Sequence, residues 1–192
     1  DAVRVGVVGA GNFATAVLLP VMSRTKGVSL EGLATATGLK GASAGKRFGF
    51  RFACTDVDEL LEDDQMNTLV IATRHGMHAD LIVKGLQGGK HVYCEKPLAL
   101  NEGELDRIQD ALKDSRRMLM VGLNRRFAPL AEKMKAHLAP VKEPLMMHYR
   151  INAGALPLDH WVHDLQQGGG RIIGEGCHFI DFLTWLTDSL PA

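Results

Sequence analysis

Two stretches of the chain carry side chains able to move a proton. The first is Glu95-Lys96-Pro97, which follows the short apolar run His91 to Cys94. A lysine at such a strand end can donate a hydrogen bond to a hydroxyl or carbonyl and help shift a proton. Its bland alternative is a solvated lysine ahead of a turn proline. The second stretch holds Arg171, Glu175, His178 and Asp181 at helical spacing. Arg171 and Glu175 are four apart and Glu175 and His178 three apart, so the three share a helix face. A histidine beside a carboxylate on a rigid helix suits general acid–base work near neutral pH. The alternative there is a surface ion pair next to a satisfied buried histidine. His160-Trp161-Val162-His163-Asp164 offers two histidines and an acid, a pattern that a metal could use. No matching Cys or His cluster lies elsewhere, so loop or substrate contact is the better reading, and no metal is expected. His75-Gly76-Met77-His78 sits after another strand pattern, a place that favours cofactor contact. Cys177 adjoins His178, but helix neighbours point about 100° apart, which argues against a nucleophile pair.

These groups need a frame, and the chain begins with one. Val3 to Val8 is an apolar, β-branched run that ends in Gly9-Ala10-Gly11-Asn12-Phe13-Ala14 and then enters a helical pattern. Gly9 permits a tight turn, Gly11 lets a pyrophosphate approach the backbone, and Ala14 stands where the dinucleotide fingerprint has its third small residue. The helix start at Asn12 and Phe13 would turn free N–H groups and the positive end of the helix dipole toward the phosphate.

Strand and helix patterns alternate from there. Helices are predicted over Phe13 to Lys26, with Pro20 as a kink, then Lys40 to Phe48, Val57 to Leu61, Ala79 to Gly88 and Asn101 to Lys113. Asp56 and Asn101 read as N-caps, with Glu59 and Glu104 completing capping boxes. Strands are predicted over Val28 to Thr35, Thr68 to Ala72, His91 to Cys94 and Met118 to Val121. The fold class is therefore α/β, a doubly wound parallel sheet over residues 1–122. After Gly122 the rhythm changes: a helix over Phe127 to Leu138, a strand over Pro144 to Ala153, and a helix from Gly168 to Leu186. Residues 123–192 read as the start of a second α/β domain. At the end of the second strand, where an acid often meets the ribose, the chain offers Thr35, Thr37 and Lys40. Thr37 could bond a ribose or a 2′-phosphate and Lys40 could attract that phosphate, which leaves NAD and NADP evenly balanced.

Composition narrows the classes. Lys+Arg and Asp+Glu are 22 each, which removes any electrostatic case for nucleic acid or an anionic membrane. No apolar run approaches the roughly 20 residues of a membrane helix. Cys54, Cys94 and Cys177 are odd in number and far apart, as expected of reduced thiols in a cytoplasmic protein.

The ordered set Gly9 to Ala14, Ile71-Ala72-Thr73 with His78, Glu95-Lys96-Pro97-Leu98, Gly122-Leu123-Asn124-Arg125-Arg126-Phe127-Ala128-Pro129, and Gly168-Gly169-Gly170 through His178 to Asp181 resembles the glucose–fructose oxidoreductase / inositol dehydrogenase family of NAD(P)-dependent dehydrogenases. That resemblance implies a Rossmann domain followed by a domain with an open, largely antiparallel sheet. It implies hydride transfer between NAD or NADP and a hydroxyl carbon of a sugar, cyclitol or nucleotide-sugar. By the same resemblance Lys96 holds the reacting oxygen and His178 is the acid–base. Thr73, Arg74, His78, Glu95, Lys96, Pro97 and Asn124 line the cofactor, and Trp161 and Arg171 border the substrate. The family often places an aspartate four residues before the histidine; this chain has Gly174 there, and Glu175 could substitute from a rotated position. That departure motivates a competing reading, a nucleotide-binding module without turnover. The segment Arg171 to His178 looks like the branch fused to a zinc-type alcohol-dehydrogenase-like domain. Relatives run past this chain's length, so a domain or fragment is expected, with a homo-oligomer interface in the sheet that follows.

Overall fold

The computed structural model describes residues 2–190. Six strands form one sheet in the order β3-β2-β1-β4-β5-β6: β1 (Val3–Val8), β2 (Val28–Ala34), β3 (Phe52–Cys54), β4 (Thr68–Ile71), β5 (His91–Cys94) and β6 (Leu119–Val121). Every pairing is parallel. The chain winds outward from β1 to β3, then returns past β1 to start β4, so β1 and β4 flank the switch point where such sheets bind ligands. β3 carries no sequence prediction; at three residues it is too short to show a period.

Strand side chains alternate between two apolar layers. Val5, Val7 and Val70 pack on one face with Leu19, Leu33 and Ala44, under α1 (Leu19–Met22) and α2 (Gly38–Phe48). Leu69, Ile71, Val92 and Cys94 pack on the other with Leu60, Ile82, Leu86 and Ile108. Those partners come from α3 (Val57–Leu61), α4 (His78–Gln87) and α5 (Glu102–Ser115). Burial on both faces is why the strands read as continuous apolar runs.

Several boundaries depart from expectation for local reasons. The first helix opens with a π-helical turn, Ala14–Leu18, in which the Leu19 N–H reaches the Ala14 carbonyl. Pro20 follows in the next turn, where it has no N–H to give. α2 starts at Gly38 behind an extended Thr37 and ends on Gly49 in the left-handed region. Asp56 caps α3 through the Asp58 N–H at 2.9 Å, rather than through the predicted box with Glu59. Asn101 caps α5 through its side-chain oxygen, which accepts from the Glu104 N–H at 3.0 Å, and Glu104 reaches back to the Leu100 N–H at 2.7 Å, one residue before the cap, so the box closes in a shifted form.

Beyond Gly122 come a 3₁₀ turn (Asn124–Phe127), α6 (Pro129–Leu138) and α7 (Cys177–Thr187). The strand expected over Pro144 to Ala153 is not formed: the segment carries no regular secondary structure and pairs with no strand of the described sheet. The helix expected from Gly168 begins later, since Gly169 and Gly170 both have positive φ, and its first turn, Ile172–Gly176, is π-helical. Among the described residues no helix is long and apolar enough to cross a membrane.

Leu69 is fully buried and its side chain meets α4 at Gly85. Leu69→Ala should lower unfolding free energy by about 3 kcal/mol in urea denaturation; a loss below about 1 kcal/mol would show that this layer is not the core.

Candidate active site

The turn after β1 is shaped by one close approach. Gly9 has φ +101°, and a Cβ on it would lie 2.4 Å from the Ala72 carbonyl oxygen at the end of β4. The two loops at the switch point can meet only because position 9 is glycine. Gly11 is the opposite case: a Cβ there would meet nothing within 4 Å, and Gly11, Asn12 and Phe13 are exposed. The first amides of a helix have no intrahelical acceptor. An open glycine backbone in front of them fits a diphosphate and nothing bulkier from the chain itself. Ala14 is buried beneath the turn, so its small size serves helix-to-sheet packing.

At the end of β2, Thr35 is buried and its hydroxyl donates to the Thr37 carbonyl at 3.0 Å. It locks the turn and faces no open ligand space. Thr37 is exposed and makes no capping bond with its side chain, which leaves its hydroxyl available. Beside this turn lies a groove of about 370 Å³ between the first helix and α2, lined by Ala10, Thr15, Lys40, Ser43 and Arg47 among others.

Several residues expected at the cofactor instead support it from behind. His78 is fully buried, with Nδ1 2.7 Å from the Pro97 carbonyl and Nε2 3.4 Å from the Thr73 carbonyl. Burial holds its pKa below the usual value. It fastens the β4 and β5 loops to each other, and it presents no surface to a ligand. Glu95 is also buried; it accepts from the Tyr93 hydroxyl at 2.8 Å, and burial raises its pKa. Gly122 leaves the room for that pair, because a Cβ would come within 2.9 Å of the Glu95 carboxylate. Pro97 is buried behind a cis peptide. Thr73 remains partly open and Asn124 exposed, while Arg74 bonds to the Gln167 side chain and lies 5.6 Å over the Trp161 ring.

Trp161, expected beside the substrate, is half-buried and packs against His75 and Arg74. The segment around residues 160–168 lies against the β4 loop, and His75 is its anchor. The His75 Nδ1 is 2.8 Å from the Gly168 carbonyl and its ring meets Trp161 edge-on at 4.7 Å. In the same segment Asp164 accepts from the amides of Gln166 and Gln167 at 2.8 and 3.1 Å and His160 Nδ1 accepts from the Val162 N–H at 3.3 Å, while His163 Nε2 is buried without a partner among the described residues.

That docking brings the two proton-moving candidates together. Lys96 Nζ donates to the Gly174 carbonyl at 2.6 Å, inside the π-helical turn that precedes α7. Gly174 is buried, and a Cβ would lie 3.0 Å from the His75 ring and 3.3 Å from Val162. The position that lacks the expected acid is thus tightly packed, and a side chain there would require His75 and Val162 to shift. Lys96 and His178 line one cleft of about 480 Å³, together with Arg125, Arg150, Asn152 and Glu175. His178 is pushed down to about 4 by burial, then by Lys96 and Arg125, so it is neutral near pH 7. Its Nδ1 is buried without a partner among the described residues, leaving Nε2 as the accessible nitrogen. Glu175 does not orient it: that carboxylate is held by Arg171 at 2.7 and 3.2 Å. Arg171 also donates to the Gly154 carbonyl at 2.6 Å, which pins the irregular segment as the far wall. Arg150 and Asn152 were masked in sequence by their place on a presumed strand, although His148, Arg150 and Asn152 alternate as a polar face.

His75 and His178 are both held near pKa 4, against about 6.5 when unfolded. Between these values the unfolded chain binds more protons, so stability is fully present above about pH 6.5 and falls as pH drops toward 4. Urea midpoints across that window should decline with acid, and His75→Asn, which keeps a donor for Gly168, should flatten part of the slope. A level profile would contradict the buried, neutral histidines.

A family described as "Oxidoreductase family, NAD-binding Rossmann fold" (GFO_IDH_MocA) matches residues 3–123. Levoglucosan dehydrogenase of Pseudarthrobacter phenanthrenivorans is 34% identical over 97 residues, covering 50% of this chain and 25% of that protein. Myo-inositol 2-dehydrogenase of Thermotoga maritima is 28% identical over 144 residues, covering 68% and 43% respectively. A solved levoglucosan dehydrogenase in complex with NADH and levoglucosan superposes with a TM-score of 0.81 at 25% identity, over 97% of this chain and 54% of the other. The chain thus spans between a quarter and about half of the length of these relatives. With the sheet order, the open glycine turn and the matched residues in agreement, the chain belongs to the GFO_IDH_MocA oxidoreductase family with its NAD-binding Rossmann fold.

Proposed function

We propose that this chain supplies the nucleotide site and the proton-moving groups of a dehydrogenase acting on a secondary alcohol or carbonyl of a sugar, cyclitol or nucleotide-sugar. The observation that carries this reading is the shared cleft of Lys96 and His178, beyond the same strand ends as the Gly9–Ala14 turn. Relatives named for levoglucosan and myo-inositol support the polyol class. A bound nicotinamide dinucleotide supplies or accepts the hydride. The chain holds the diphosphate on the amides after Gly9, with Thr37 and Thr73 open beside it. Lys96, steadied by the Gly174 carbonyl, keeps N–H groups free to hold the substrate oxygen. His178, neutral, takes the hydroxyl proton at Nε2 during oxidation and returns it during reduction. Three free thiols among the described residues suit a reducing cytoplasm.

The groove beside the β2 turn favours NADP. Lys40, Ser43 and Arg47 line it with no carboxylate among its walls, and neither cation forms an ion pair among the described residues. An acid at this point would repel a 2′-phosphate; two cations and a hydroxyl attract it. Fluorescence titration should give tighter binding of NADPH than of NADH. The double change Lys40→Ala with Arg47→Ala should weaken NADPH about ten-fold and leave NADH within two-fold. Tighter NADH binding would reverse the assignment.

Lys96→Met and His178→Ala should each lower turnover by about 10²-fold or more, with NADPH affinity nearly unchanged. Retained turnover would remove that residue from the mechanism. Gly174 favours one competing reading, a module that binds nucleotide without turnover; saturable NADPH binding with no hydride transfer to any polyol would establish it.

A further inference from the structure

We infer that the cleft selects sugars carrying a carboxylate or a phosphate over their neutral counterparts, a refinement that rests on the dehydrogenase reading for the reacting carbon. Three cations face this space: Lys96, Arg125 and Arg150. The single carboxylate on its walls, Glu175, is already bound by Arg171. Asp181, less than one turn beyond His178 on α7, is bound by Arg126. Among the described residues none of the three cations has a carboxylate partner: Lys96 bonds to a backbone carbonyl, and the Arg125 guanidinium lies 4.7 Å over the Phe179 ring. The neighbouring acids Glu175 and Asp181 are thus held by Arg171 and Arg126, and among the described residues no carboxylate is in direct contact with Lys96 or with the exposed Arg125 and Arg150.

Burial, then Lys96 and Arg125, favour the neutral form of His178, and Asp181 opposes them without reversing the shift, so the positive groups dominate at that ring. A neutral polyol would satisfy hydrogen bonds there and leave the charges uncompensated. An anionic substituent compensates them. A guanidinium presents a planar fork of N–H donors that matches a carboxylate or phosphate in two-point contact. Arg125 comes from the turn after β6 and Arg150 from the irregular segment opposite, so the anion would be gripped from two walls. Phe179 and Tyr149, in edge contact with each other at 5.3 Å, add an apolar patch to the same wall.

Calorimetric titration in the presence of NADPH tests this with D-glucuronate for the carboxylate, D-glucose 6-phosphate and UDP-glucose for the phosphate, and D-glucose and myo-inositol as neutral references. At least one anionic arm should bind ten-fold or more tighter than its neutral reference and weaken with added salt. Arg125→Gln and Arg150→Gln should each erase most of that preference while leaving D-glucose affinity within two-fold and the thermal midpoint unchanged. Equal affinities, no measurable binding of either anionic arm, or Gln variants that keep the preference would overturn the inference. The dehydrogenase reading fails separately, by the absence of NADH and NADPH binding, and repeating the sugar titrations without nucleotide reads the anion preference in that event.

Discussion

The hydrogen bond from Lys96 Nζ to the Gly174 carbonyl spans the boundary between the parallel sheet and the segment that carries His178. Everything proposed for the chemistry depends on it. Lys96 leaves the end of β5, and Gly174 lies in the π-helical turn ahead of α7, 78 residues on. The acceptor is a backbone carbonyl, and a Cβ at position 174 would crowd His75 and Val162 at 3.0 and 3.3 Å. A backbone acceptor thus stands where a side-chain acid would otherwise meet the lysine, and it cannot titrate.

Around that bond the buried polar groups form a scaffold and the exposed ones form the working surface. His75 ties the β4 loop to Gly168, and His78 ties it to Pro97. Both histidines are buried, and burial disfavours their charged forms, so near neutrality they act as fixed hydrogen-bonding joints. Glu95 and Tyr93 brace the end of β5 in the same manner. Lys96, Arg125 and His178 are then presented to the cleft, with Lys96 serving both as a wall residue and as the joint to Gly174. A loss of any joint is expected to move the cleft walls, and a loss of Arg125 or His178 to leave the joints intact.

Most of the sheet was legible because its strands are buried on both faces and its helices carry ordinary end signals. Apolar runs ended by glycine or by a capping residue located five of the six strands, and Asn101 with Glu104 marked a helix start to the residue. β3 was invisible because three residues cannot display a period. The strand expected over Pro144 to Ala153 failed for another reason: alternation reports a two-faced segment, and pairing requires a neighbour. Within the site, Lys96 and His178 stood out by residue type and position, and the glycine turn by its strand-to-helix setting. Which histidines face a ligand and which are joints is not written in spacing. His78 looked available in sequence, and only tertiary packing turns it inward, while Trp161 is half-buried against His75. Glu175 and His178 share a face of an ideal helix, but the π turn and the pull of Arg171 separate their functions.

The central claim is that one crevice runs from the amides after Gly9 to the cleft of Lys96 and His178. A crystal structure of the protein with NADPH measures this directly. The diphosphate is expected on residues 9–14 and the nicotinamide ring over Lys96 and His178, with its reactive carbon within about 3–3.5 Å of the carbon of a bound sugar. A diphosphate held elsewhere, or a nicotinamide ring turned away from that lysine and histidine, would contradict it.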